Sequence, residues 1–149
     1  MPDEIEQEQL QAVRDLLDNE PEVRRAPRFS EEDKQQLTLA AKAAGLAVVR
    51  WTDAYMDCGY HSERYGQRGF VVLVNGLEEL WNPLTDDGDA LRLAVKLELE
   101  LRLRHSENAV RVYGAPSGAI DEGVHGDPGA ATRRAIVRAA AEIGANMQS

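Results

Sequence analysis

The chain is poor in the residues on which small proteins most often build chemistry. Cysteine occurs once, at Cys58, and histidine three times in 149 residues. A single cysteine excludes an internal disulfide and points to a reducing compartment, the cytoplasm. One thiol and three imidazoles are too few soft ligands for a closed structural zinc site. No apolar run reaches the roughly 18 residues of a membrane span. The opening "MPDEIEQEQL" lacks the basic-then-apolar order of a secretory signal. No Walker loop, dinucleotide fingerprint or Ser-His-Asp order occurs, so no cofactor is implied. Internal repeats and low-complexity tracts are absent as well.

Positive charge is also scarce. Lys and Arg number 17 against 26 Asp and Glu, for a net charge of −9. Residues 1–36 hold eleven acids against five bases, a net of −6, while residues 37–104 carry −2 and residues 105–149 carry −1. Phosphate backbones repel such a chain unless it keeps a basic face, so direct nucleic-acid binding is disfavoured. A basic protein partner, including one that normally grips DNA, suits it better. A merely solubilising surface explains the charge too.

The residues present in quantity describe one soluble domain with an extension. The hydrophobic share of 43% and charged share of 29% are ordinary for a globule. Apolar Ile5, Leu10, Val13, Leu16 and Leu17 approach helical spacing, and Pro21 and Pro27 break that pattern. Residues 1–28 therefore read as an acidic helical arm and linker, and residues 29–149 as the main domain. The arm's apolar side is suited to a second copy, which predicts a homodimer to which it contributes.

In the main domain, Ser30 and Asp33 open a helix that runs through "LTLAAKAAG" to a stop at Gly45. Leu46–Trp51 reads as a buried strand and Phe70–Val74 as another. Asn75-Gly76 is a hairpin signal, with Leu77–Trp81 returning as a third strand. Thr85 is the expected cap of a helix whose first turn holds Asp86, Asp87 and Asp89. Leu91, Leu93, Ala94, Val95 and Leu97 form its expected buried side. The period then changes to two, with Leu97, Leu99, Leu101 and Leu103 alternating with charges, and "AVRVYG" pairs with that strand. Residues 114–127 read as a Gly-rich loop. Asp127-Pro128 starts a last helix with Ile136, Val137, Ala140 and Ile143 inward and Arg133, Arg134 and Arg138 outside. The implied architecture is one mostly antiparallel sheet covered by helices, an α+β fold.

This order resembles the phage ABA sandwich domain family of small bacteriophage and prophage proteins. The likeness is carried by "AAKAAG", the strand ending in Trp51, the run Trp81-Asn82-Pro83-Leu84-Thr85-Asp86 and the closing "ATRRAIVRAAAEIG", over about residues 34–146. It implies a layered α-β-α sandwich and a viral or prophage origin, hence a host-cell cytoplasmic location, and supplies no catalytic residue. The arm, residues 1–28, lies outside it.

Three clusters are candidates for chemistry. Trp81, Asn82, Asp86, Asp87 and Asp89 offer oxygen ligands for a hard cation or a polar binding cluster, yet each also has a structural task at a strand-to-helix junction. Cys58 and His61, beside Asp57 and Glu63, are half of a zinc site or a thiolate with its base, and the other half is missing. Asp121 and His125 lie in the loop before the last helix, where acids and an imidazole suit a metal or an anion, and solvation explains them equally. The sequence thus favours a non-enzymatic binding module of a phage or prophage, directed at a host or phage protein such as a defence or DNA-handling protein. A metal-dependent enzyme built on either acidic cluster is the alternative.

Overall fold

The computed structural model describes residues 4–24, 29–56 and 64–147, and of residues 15–24 and 105 only the backbone. The chain divides into two compact units, Met1–Glu31 and Glu32–Ser149. The first is built on helix α1, Glu4–Arg24. It continues through Pro21, where the sequence predicts a stop. The proline ring holds φ at about −65°, a helical value, and removes a single N–H from the ladder. Ile5, Leu10 and Val13 are exposed to water. The side chains of Leu16 and Leu17 lie outside the described residues, as do Cys58 and His61.

The second unit is α+β, with helices packed against antiparallel strands. Among the described residues it contains two three-stranded sheets rather than the single sheet expected. Each is a meander: β1 (Ala47–Thr52), β2 (Gly69–Val74) and β3 (Leu77–Trp81), then β4 (Glu100–Arg104), β5 (Ala109–Ala115) and β6 (Gly118–Gly123). Antiparallel pairing between chain neighbours explains the split, because each set of strands closes on itself before the chain reaches the next. Asn75 and Gly76 both adopt positive φ, 52° and 80°, and close β2 on β3 with the mirror-image turn that matches strand twist.

Helix α2, Glu31–Ala43, begins right after Ser30, and Gly45 at φ 70° turns the chain out. The Leu46 N–H donates to the Ala41 carbonyl at 3.0 Å, a Schellman-type closure. Helix α3, Asp87–Lys96, is capped by Asp86 and not by Thr85; the Asp86 carboxylate accepts from the Asp89 N–H at 2.8 Å. Helix α4, Pro128–Asn146, starts as expected, with Asp127 accepting from the Gly129 N–H.

Burial corrects several expectations. Strand β1 is exposed at Val48 and Val49, since it is an outer strand interrupted by a bulge between Val48 and Arg50. On α3 the buried residues are Asp89, Ala90, Leu93 and Ala94, whereas Leu91 and Val95 face water. The helix spends its narrow inner stripe on small residues that let it approach α4. Leu97 ends that helix instead of starting a strand, and Glu98 at φ 54° reverses the chain before β4. Ile143 is half-buried. The supposed loop of residues 114–127 is largely the β5–β6 hairpin. Its glycines serve a bulge near Gly114 and the turn at Gly118, and Ile120 alone plugs β6 into the core.

The core is centred on α4, which lies on β5 and β6 and against α3. Ala135, Ile136, Val137, Ala139 and Ala140 are buried there, with Val110 and Val112 of β5. Helix α2 runs alongside α4 in the same direction. Asp33 meets Arg134 at 3.4 Å and Lys42 reaches the Met147 carbonyl at 3.2 Å. Between these contacts Gly144 rests on the Leu39 backbone, and a Cβ there would overlap the Leu39 carbonyl. Gly144→Ala should therefore force the two helices apart and cost about 1–3 kcal/mol or more. A thermal melt checks this: an unchanged Tm would show that α2 and α4 adjust without cost.

Candidate functional site

The junction between β3 and α3 gathers most of the acids that the sequence singles out. Trp81 ends β3 opposite Phe70, and both rings are buried. Trp51, across β2, stands edge-on to Phe70 at 5.1 Å between centroids. Pro83 cannot continue a ladder, so the chain turns there. Asn82, fully buried, organises the turn. Its side-chain amide donates to the Arg68 carbonyl at 3.1 Å, and its Oδ1 accepts from the Leu84 N–H at 3.1 Å. Its carbonyl accepts from the N–H groups of Thr85 and Asp86 at 3.2 and 3.0 Å.

Asp89 closes the arrangement from inside α3. Its side chain is 5% exposed, yet it meets Arg64 at 3.0 Å and Arg92 at 2.7 Å and accepts from the Asn82 backbone N–H at 2.9 Å. A buried carboxylate without such donors would be untenable. Arg64 also donates to the Leu80 carbonyl at 3.2 Å and to Gln67 at 3.2 Å. Trp81, Asn82, Asp86 and Asp89 are thus brought together, whereas Asp87 points to a different partner. Arg133 grips Asp87 at 2.6 Å and the Leu84 carbonyl at 2.9 Å, with Asp127 at 3.9 Å. Sequence reasoning missed Arg64, Arg92 and Arg133. Arg92, three residues after Asp89 on one helix face, was readable from spacing. Arg64 and Arg133 come from remote segments, and Arg133, expected outside, turns inward.

Asp121 and His125 do not share a loop site. Asp121 lies on β6 opposite Arg111 of β5, whose Nε and Nη2 donate to the two carboxylate oxygens at 2.6 and 3.2 Å. The hydrogen bond from Arg111 holds the Asp121 carboxyl below the usual carboxylate range. Since the folded carboxyl releases its proton more readily than the unfolded one, the pair contributes above the unfolded pKa. That contribution is lost as pH falls through the folded value. The adjacent Glu122 is held by Arg138. Among the described residues, no group of three or more His, Cys, Asp or Glu is placed to hold a metal ion.

Beside the junction a groove of about 310 Å³ opens between α3, β4 and the first turns of α4. Leu91, Leu101, Leu103, Pro128 and Ile136 supply apolar walls, and Asp87 and Arg133 stand at its polar end. Leu91 is 59% exposed, Leu103 53%, and Val95, one turn beyond Leu91, 69%. The Asp87 side chain is 85% exposed, whereas that of Arg133 is 18% exposed, so the rim presents its acid to solvent and its base to the protein. No family model, curated protein or solved structure matches this chain.

Removing the charge of Asp89 should disrupt the junction. Asp89→Asn keeps the shape but leaves Arg64 and Arg92 only Asp86, at 4.0 and 3.9 Å, and breaking a pair whose carboxylate is buried costs up to about 3–5 kcal/mol. The melting temperature should fall by roughly ten degrees for a chain of this size. A fall of only a degree or two would show that solvent screens the cluster. Chelation with EDTA should leave the melting curve of the wild-type chain in place, because these carboxylates already have protein cations; a drop of several degrees would restore them as cation ligands.

Proposed function

We propose that this chain is a non-enzymatic phage or prophage accessory module whose work is to hold another protein, with the α3–β4–α4 groove as its docking surface. The observation that carries this reading is the contrast on α3. Its acids are taken up by arginines and backbone N–H groups, while its large apolar residues Leu91 and Val95 stand in water, and Leu91 lines the groove with Leu103. A general acid or base has to be free to exchange its proton with a substrate. A docking surface needs apolar area with a few placed charges.

The occupant is a protein segment that carries basic residues next to apolar ones. The net charge of −9 favours it, with Asp87 paired to Arg133 yet 85% exposed at the rim, and apolar side chains suit the leucine walls. A surface that normally grips phosphates has this composition, which makes a DNA-handling host protein a fitting target for an acidic phage product. The phage assignment itself is drawn from the likeness at Trp81–Asp86. The exposed Ile5, Leu10 and Val13 of α1 add a second apolar surface suited to the same kind of work.

Immobilised full-length chain should enrich basic, apolar-containing sequences from a random peptide display library. The double variant Leu91→Glu, Leu103→Glu should lose this enrichment at least tenfold and keep its melting temperature within a few degrees, since both positions are exposed. Equal enrichment by the variant would remove the groove from the reading, and selected peptides without basic residues would remove the charge argument.

A further inference from the structure

We propose that the outer edge of β4 is a self-association site at which a second copy of this chain adds its own β4 in antiparallel fashion. The inference rests on the backbone edge and not on the proposed function, although Leu101 and Leu103 of this strand also line the groove. Strands β1, β3, β4 and β6 are the outer strands of the two sheets among the described residues. An unpaired edge presents a row of N–H and C=O groups ready for another strand. The edges differ in what they offer a copy of themselves. Strand β1 is broken by the bulge at Val48–Arg50. Strand β3 carries Glu78 and Glu79 and no cation. On β6, Asp121 and Glu122 are already held by Arg111 and Arg138.

Strand β4 alone carries both signs in alternation with leucine. Glu100, Arg102 and Arg104 share the face of Tyr113 and Arg111; Leu101, half-buried, and Leu103, exposed, lie on the opposite face with the buried Val112 and Val110. Two copies paired antiparallel must keep these faces in common. A slip of one residue would set leucine against arginine and turn the apolar face to water. The allowed two-fold registers are therefore centred on a residue. Centring on Glu100 opposes two glutamates, and centring on Arg102 opposes two arginines. Centring on Leu103 sets Arg102 against Arg104.

Centring on Leu101 places Glu100 opposite Arg102 of the second copy, twice over. Leu101 then meets Leu101, and Leu99 flanks Leu103. Each of these four charges meets its opposite and every leucine a leucine. Within one chain Arg102 makes only a 3.4 Å contact with Glu100, both side chains more than half exposed, and lies 5.0 Å from the Tyr113 ring centroid. Exchanging that local pair for two cross-copy pairs requires little rearrangement. Joining the edges unites two three-stranded sheets into one of six strands, and the two-fold axis closes the assembly at a dimer.

Sedimentation or light scattering of the full-length chain tests the register. The wild type should be a dimer. Glu100→Arg and Arg102→Glu should each weaken it at least tenfold by opposing like charges. An equimolar mixture of the two variants should restore it as a heterodimer, because Arg then faces Glu at all four charged positions. A merely intrachain effect cannot be rescued by mixing. Should either single variant fail to fold, the doubly swapped chain, Glu100→Arg with Arg102→Glu, must dimerise like the wild type. A monomeric wild type, variants that dimerise as tightly as wild type, a mixture that stays monomeric, or a swapped chain that does not dimerise would overturn the proposal.

Discussion

Asp89 is a carboxylate kept almost out of water, and the main unit depends on how its charge is satisfied. One oxygen lies against Arg92 on the same helix, while the other serves Arg64 and the Asn82 N–H. Those three partners belong to α3, to the segment before β2 and to the end of β3. The first meander and the second are joined along the chain only through residues 82–99, and this polar knot fixes the turn with which that link begins. Asn82 adds bonds to residues 68, 84, 85 and 86, which makes the turn rigid without needing any regular ladder.

Magnitudes separate this cluster from the other ion pairs. Arg50 and Glu78 stand about half exposed on β1 and β3, and a pair of that kind contributes roughly 0–1 kcal/mol. The Asp89 carboxylate, 5% exposed, has little water to fall back on, so losing the inner partner Arg64 costs several times more, whereas Arg92 stands mostly in solvent. Close packing works on the same footing at the other side of the unit. Alanines on α2 and α4 let the helices approach until Gly144 touches the Leu39 backbone, and no larger residue fits. The fold is thus set by two constraints of different kinds, one electrostatic and one steric.

Much of this was legible in the sequence, and the failures have physical causes. The Asn75-Gly76 hairpin, the Asp127-Pro128 helix start and the α+β order follow from local rules of turn and cap. Two sheets in place of one did not follow, because period-two patterns show strands but not which strand lacks a neighbour. Strand β6 was hidden by glycines at 114, 118, 123 and 126, read as breaks when two of them form a bulge and a turn. Leu91 and Val95 looked buried because an apolar residue at helical spacing is usually inward, and only the narrow contact with α4 leaves them outside. At the junction the acids were visible and their cations were not, since Arg64 and Arg133 arrive from distant segments.

The β5–β6 turn differs from the Asn75-Gly76 turn in how firmly it is held. Ser117 gives both its backbone N–H and its hydroxyl to Glu142 of α4, at 2.6 and 2.9 Å, so the hairpin tip is anchored to the central helix. A Cβ on Gly76 or on Gly118 would meet open space alike, so the two bonds to Glu142 are what separates the two tips. Hairpin tips are usually interchangeable places to splice in foreign sequence, and here they are not. A tag, fluorophore or inserted domain belongs at residues 75–76, away from that anchor; the same graft at residues 116–118 would pull on the helix around which the core is packed.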